Sequence, residues 1–172
     1  QSVVDTIDPQ VFFDNTDANS NGFVMPGWEP ERFGKMAEDI EFYQNVSSEE
    51  YFKNIKYFLD AIVPVAEELD INFAVHPDDP PFPLFNLPKV VNSKESIDKY
   101  LNLNTSKRNG LTLCTGSLGA GIHNDVVDIA KTFTPAGKVH FVHLRNVKGK
   151  IPKYDEMLID DGDVDIARAL MC

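Results

Sequence analysis

Residues 73–81 read FAVHPDDPP, and the interpretation of the whole chain starts from this stretch. A short apolar run, typical of a buried strand, leads directly to His76. The prolines that follow stop the strand, because proline has no backbone N–H to give to a ladder. Asp78 and Asp79 lie in this rigid turn. A strand that delivers a histidine and two carboxylates to its end is typical of a functional site.

The rest of the chain alternates helical and extended patterns. Helical spacing of apolar residues and capping residues predict helices at 47–69, 93–101, 124–133 and 163–171. Short apolar runs predict strands at 71–75, 111–114 and 138–144, with a tight turn at TGSLGAG (115–121) and a polar loop after the last strand. Pro64 is expected to kink or split the first helix. This alternation predicts βαβ units and a parallel sheet, either doubly wound or closed as a β/α barrel.

The composition limits the number of domains, the partners and the cellular setting that we expect. The chain of 172 residues is long enough for one domain, and residues 1–33, which lack periodicity, are expected to form a hairpin-like insertion within it. A net charge of -11 disfavours nucleic acid and anionic membrane surfaces as partners. No apolar run approaches the roughly 20 residues of a membrane span, and no signal peptide is visible. Two cysteines do not form a disulfide framework, which favours a reducing, cytoplasmic setting.

Each of the three predicted strands ends in a residue that can bind a transition metal. These residues are His76, Cys114 and His143. In parallel α/β folds the carboxyl ends of the strands share one face, where active sites lie. Two imidazoles and a thiolate would therefore meet there, and those donors suit Mn, Fe, Co or Zn.

Two further residues, one in the last strand and one directly after it, are assigned by their direction. His140 is three residues from His143, so it faces the other side of the sheet and is expected to pack there. Arg145 shares its face with His143 and could hold a substrate carboxylate by a forked contact.

The strings AVHPDDPP, GLTLCTGSLG, HFVHLRNV and GDVD, in this order, resemble the mannonate dehydratase family. The resemblance extends from about Gly22 to Asp165. It implies a β/α barrel of the xylose-isomerase-like class and a cofactor of Mn²⁺ or Fe²⁺. The implied reaction removes water from D-mannonate to give 2-dehydro-3-deoxy-D-gluconate in hexuronate (glucuronate) breakdown.

Carried over by position, the family's metal ligands are His76, Cys114 and His143. The resemblance also implies a catalytic place for Arg145, and for Asp78 or Asp79 as a group that orients a hydroxyl or a ligand. We take Asp78 as the candidate, and we expect a homo-oligomer.

The sequence departs from the family in ways that leave other functions open. The family's RPDHG motif, which supplies a further metal-ligating acid, is absent, and only three strands can be placed where a barrel has eight. We therefore expect an incomplete barrel. The alternatives to the lyase are a catalytically incompetent remnant of the barrel and a metal-dependent sugar isomerase of the same fold.

Overall fold

The computed structural model describes residues 38–83 and 87–172. Contacts separate a small unit, described at residues 38–46 and 87, from a larger unit of residues 47–83 and 88–172, and each is treated by itself. In the small unit, residues 38–43 are helical. The hairpin-like insertion expected at residues 1–33 lies outside the described residues, and the single-domain organisation stays a prediction.

The larger unit alternates helices and strands. Its helices are α1 (Ser48–Glu68), α2 (Lys94–Leu101), α3 (Thr115–Gly119), α4 (Val126–Phe133) and α5 (Ile166–Leu170). Its strands are β1 (Phe73–Val75), β2 (Asn109–Cys114), β3 (Val139–His143), β4 (Asn146–Lys150) and β5 (Lys153–Met157). The four helices and three strands predicted between residues 47 and 171 are present, with ends that shift by a few residues. None of the helices in the described ranges is long and apolar enough to cross a membrane.

Three strands form one parallel sheet with β2 in the middle. Val75 of β1 pairs with Leu111, and Cys114 at the end of β2 pairs with His143 at the end of β3. All residues of β2 are buried, so this strand lies at the centre of the unit. Because the strands are parallel, their carboxyl ends lie at one edge of the sheet.

The core is apolar and lies between the sheet and the helices. Burial of each of its large aliphatic side chains stabilises the fold by about 1.5–3 kcal/mol before entropy is counted. The most deeply buried apolar side chains come from α1, α2, β2, α3 and α4: Leu59, Ile97, Leu111, Leu118 and Ile129.

Helix α1 begins at the predicted capping box. The Ser47 hydroxyl accepts a hydrogen bond from the Glu50 N–H at 3.2 Å, and the Glu50 carboxylate accepts one from the Ser47 N–H at 3.0 Å. The helix continues without a break through Pro64, so the prediction of a split is wrong. Buried Leu59 and Ala66 lie on either side of the proline, and the packing of this face offsets the hydrogen bond that proline removes.

Two segments differ from the sequence-based prediction. The residues after β3, predicted as a polar loop, form an antiparallel hairpin of β4 and β5. Asn146 anchors it, since its buried amide donates to the carbonyls of Ile159 at 2.8 Å and Val164 at 3.1 Å. The TGSLGAG stretch, predicted as a tight turn, begins with the short helix α3.

The core can be tested on a leucine inside α1 and on the leucine that directly follows the helix. Leu59→Ala is expected to lower the free energy of unfolding by about 2–5 kcal/mol, because the side chain is 2% exposed and its removal leaves a cavity. Leu69→Ala, at a position 60% exposed, is the matched control and should change it by less than about 0.5 kcal/mol. Urea unfolding measures both, and equal effects would contradict the packing of α1 described here.

Because the phenol of Tyr100 in α2 is buried, we expect the protein to lose stability at high pH. Burial raises the pKa of Tyr100 to about 12. The contribution of the neutral phenol to the free energy of unfolding is therefore fully present below the ordinary tyrosine pKa of about 10. It is lost as the pH rises through about 12. In Tyr100→Phe the free energy of unfolding should decline less over this range than in the wild type. Tyr57→Phe, at a position 81% exposed, should follow the wild type, and parallel curves for all three proteins would contradict the assignment.

Candidate metal centre

Three side chains from three strands meet at the carboxyl edge of the sheet. His76 follows β1, while Cys114 and His143 are the last residues of β2 and β3. One ligand atom of each lies within 4.8 Å of the others. Cys114 is buried and the two imidazoles are exposed. The site is therefore closed on the side of the sulfur and open to solvent on the side of the imidazoles. The structure thus brings together the three residues that the strand ends predicted.

The hydrogen bonds of His76 determine which nitrogen is available. Nδ1 lies 2.6 Å from the Pro77 carbonyl oxygen, which only accepts, so Nδ1 carries the proton. Nε2 of the neutral ring is then free to act as a ligand, and it lies 3.1 Å from His143 Nδ1. Two nitrogens bound to one ion at about 2.1 Å are separated by about 3 Å, so this spacing fits a shared ion.

The thiol of Cys114 completes the donor set. It is a free cysteine, 2% exposed, and α3 begins at the next residue. Nitrogen and sulfur donors in this combination suit a divalent first-row transition ion. The residues present therefore fit the kind of metal that the sequence predicts.

The two carboxylates of the proline-rich turn have different surroundings. Asp78 Oδ2 accepts hydrogen bonds from the N–H groups of Val90 at 2.7 Å and Val91 at 2.8 Å, so this side chain ties two segments of the loop together. Asp79 instead accepts a hydrogen bond from the Ser117 hydroxyl at 3.0 Å and forms an ion pair with Arg145. Asp79 is therefore the carboxylate that adjoins the candidate metal centre.

Arg145 is held between two acids. Besides Asp79, its Nε and Nη2 contact the Glu156 carboxylate at 2.9 and 2.5 Å. Burial alone would lower the pKa of Arg145, but the hydrogen bonds to Glu156 and Asp79 outweigh it and raise the pKa above its usual value. The side chain lies close over α3, where a Cβ at Gly116 would come within 2.5 Å of Arg145 Cγ. The guanidinium is thus fixed in place and permanently charged.

The hairpin supplies two residues that the sequence analysis did not identify. Tyr154 and Glu156 lie on one face of β5, and the Tyr154 hydroxyl donates to Asp79 Oδ1 at 3.4 Å. Partial burial, and then the charge of Asp79, raises the pKa of Tyr154. This strand has no clear signal in the sequence, because the apolar residues Tyr154 and Met157 are three positions apart and do not alternate with polar ones.

His140 lies away from the three ligand candidates. Its Nδ1 is 2.6 Å from the Phe73 carbonyl oxygen, and its ring covers Gly110, where a side chain of any size would collide with it. The ring therefore lies over the face of β2 that Gly110 shares with Cys114, because β3 has one extra residue opposite Leu111 and Thr112. The expectation that His140 packs on the other side of the sheet does not hold.

The fold and these residues together define an α/β protein with parallel strands and a candidate metal centre at their carboxyl ends. The sequence model of the D-mannonate dehydratase (UxuA) family matches residues 1–171. The chain therefore belongs to this family.

Individual relatives agree with the family match. The mannonate dehydratase of Brachyspira hyodysenteriae (strain ATCC 49526 / WA1) is 46% identical over 169 residues, which is 96% of this chain and 47% of that protein. That of Thermotoga neapolitana is 42% identical over 147 residues, which is 86% of this chain and 41% of that protein.

A solved structure resembles this one. The crystal structure of mannonate dehydratase from Streptococcus suis serotype2 matches with a TM-score of 0.77 and 34% identity, covering 84% of this chain and 42% of that one. The predicted fold class, an incomplete β/α barrel, is confirmed by this likeness. The chain spans less than half the length of the relatives it matches.

The candidate ligands predict that replacing one of the two cysteines, and not the other, weakens metal binding. Cys114→Ser is expected to weaken the binding of Mn²⁺ or Co²⁺ by at least about tenfold, since a thiolate ligand is lost while the buried volume stays similar. Cys172→Ser removes the other free thiol and should leave binding unchanged. Equilibrium dialysis measures the metal content, with circular dichroism as the check on folding. Equal metal content in all three proteins would contradict the assignment of Cys114.

Proposed function

We propose that the protein is a mannonate dehydratase, a hydro-lyase that removes water from D-mannonate to give 2-dehydro-3-deoxy-D-gluconate in glucuronate breakdown. The observation that carries the proposal is the family match over residues 1–171, together with relatives that bear this name. Because the chain spans less than half the length of those relatives, the activity is proposed for the whole protein.

We assign His76, Cys114 and His143 as ligands of Mn²⁺ or Fe²⁺. Two imidazole nitrogens and one sulfur within 4.8 Å support this assignment. A bound ion of this kind supplies Lewis-acid chemistry, which draws electrons from substrate oxygens and makes the proton at C2 more acidic. The two exposed imidazoles leave an open side by which a substrate can approach.

Arg145 orients the substrate through its carboxylate in this proposal. A guanidinium has five N–H groups. The contacts to Glu156, Asp79 and Ser117 use four of them within the described part of the chain, which leaves one N–H of Nη2 for a substrate oxygen. The fixed positive charge also offsets the negative charge that develops next to the carboxylate when the C2 proton is removed.

Asp78 and Asp79 receive different roles. Asp78 fixes the loop that follows His76, because its carboxylate holds two backbone N–H groups. Asp79 takes the role of orienting a neighbouring group, for which the sequence analysis took Asp78 as the candidate. It is the carboxylate in contact with both Arg145 and Ser117.

We further propose a homo-oligomer in a reducing, cytoplasmic setting. Large apolar side chains are exposed along α1, among them Tyr57 at 81% and Phe58 at 58%, and a second subunit would shield them. Both cysteines are free, and a thiolate ligand needs an environment that keeps it reduced.

The experiment is a dehydratase assay on the protein as the cell makes it. With Mn²⁺ or Fe²⁺ and D-mannonate, the wild type should form a 2-keto-3-deoxy acid, and kcat/KM should fall roughly 100-fold or more in His143→Ala, because a metal ligand contributes several kcal/mol of transition-state stabilisation. His123→Ala, which removes an exposed histidine outside the site, is the matched control and should retain activity. Absence of product from the metal-loaded wild type would contradict the proposal, and sugar isomerisation instead would favour the isomerase.

A further inference from the structure

A row of hydrogen bonds joins the hairpin to the sulfur of Cys114. The Ser117 hydroxyl oxygen lies 3.0 Å from Cys114 Sγ and 3.0 Å from Asp79 Oδ2. Arg145 Nη1 contacts both Ser117, at 3.2 Å, and Asp79, and the other side of the guanidinium is held by Glu156 of β5. The dehydratase proposal uses Arg145 and Asp79 but gives no role to Ser117 or Glu156.

The direction of these hydrogen bonds follows from counting protons. Ser117 has one hydroxyl proton, whereas Arg145 Nη1 has two N–H groups, one for each of its contacts. Asp79 Oδ2 accepts from Ser117 in this structure, but it also accepts from Arg145 Nη1, so it keeps a donor when the Ser117 hydroxyl turns toward the sulfur. A cysteine that binds a metal does so as a thiolate, which only accepts. The Ser117 proton is thus available to the sulfur when Cys114 serves as a ligand.

Burial makes this contact stronger than a surface hydrogen bond. Ser117 is 0% exposed and Cys114 is 2% exposed, so water does not compete for either atom. In the described part of the chain, Ser117 is the side chain hydrogen-bonded to Cys114 Sγ. It comes from α3, which starts one residue after Cys114, so the donor and the sulfur are held by one short segment.

Glu156 fixes the outer end of the row. Both oxygens of its carboxylate lie 2.9 Å from Arg145 Nε. This forked contact sets the plane of the guanidinium. Without it, Arg145 would keep Asp79 but lose this orientation. The hairpin therefore reaches the metal centre through Arg145 rather than by supplying a ligand.

We propose that Ser117 is a positioning residue that donates a hydrogen bond to the Cys114 thiolate, and that Glu156 supports it from the hairpin through Arg145. The inference rests on the proposed metal centre and adds two residues to it. Hydrogen-bond partners of metal ligands typically change metal affinity by about 10–100-fold when removed.

The first test measures Co²⁺ binding by the thiolate-to-cobalt charge-transfer absorption, with Ser117→Ala. Loss of the donor should weaken Co²⁺ binding by about 10–100-fold. It should also move the band to longer wavelength, because the sulfur lone pairs are no longer stabilised by a proton. Ser106→Ala is the matched control, since its hydroxyl also donates to a carboxylate, that of Glu67 at 2.6 Å, away from the site. A Ser106→Ala spectrum equal to wild type is expected.

The second test changes an exposed residue and so avoids any question of folding. Glu156→Gln should shift the same band in the same direction and weaken Co²⁺ binding by up to about tenfold. Asp155→Asn removes an equal charge from the neighbouring exposed position of β5 and should change neither quantity. Glu156 is 63% exposed, so its replacement leaves the core intact.

The outcomes separate this inference from the proposed function. A wild type without a thiolate-to-cobalt band would overturn the metal centre and the inference together. A normal wild-type band that is unmoved in both Ser117→Ala and Glu156→Gln, with unchanged affinity, would overturn the inference alone. A weaker affinity with an unmoved band would also overturn it, because that result would mean a packing effect without donation to sulfur.

Discussion

The parallel pairing of β2 with β1 on one side and β3 on the other determines where all three ligand candidates lie. Cys114 is level with His143 in the register, and Val75 is level with Leu111, so His76 falls two positions short of Cys114 and shares its face. The length of the imidazole spans this stagger and brings Nε2 to 3.1 Å from His143. Shifting either neighbour of β2 by one residue would turn a ligand to the opposite face.

The same pairing explains why the sequence alone could locate the three residues. Each strand is a short apolar run, each run ends at a proline, a turn or a helix start, and the intervening helices require parallel strands. Parallel strands have their carboxyl ends at one edge of the sheet. Residues at those ends could therefore be expected to lie near one another before any contact between them was known, and these are His76, Cys114 and His143. The prediction needed local patterns and one rule of topology.

Residues whose place depends on distant contacts could not be predicted in this way. Asp78 and Asp79 are neighbours of the same type, and the N–H groups of Val90 and Val91, which bind the Asp78 carboxylate, distinguish it from Asp79. The hairpin of β4 and β5 is anchored by Asn146, whose partners are up to 18 positions away. Pro64 lies at an exposed position of α1 and is tolerated because the buried face of the helix packs against the core, which is also a tertiary effect.

The charges around Arg145 show why this arrangement suits a metal. Asp79 and Glu156 together carry more negative charge than the one guanidinium between them can balance, and a Cys114 thiolate adds to the excess. An anionic substrate would be repelled from such a place, and the chain as a whole is acidic. A divalent cation among His76, Cys114 and His143 would balance this excess, because its two positive charges equal the net negative charge of the two acids, the guanidinium and the thiolate. Asp79 and Glu156 then keep Arg145 oriented without excluding the carboxylate of a substrate. The candidate metal ligands and the ion pairs of Arg145 therefore depend on each other.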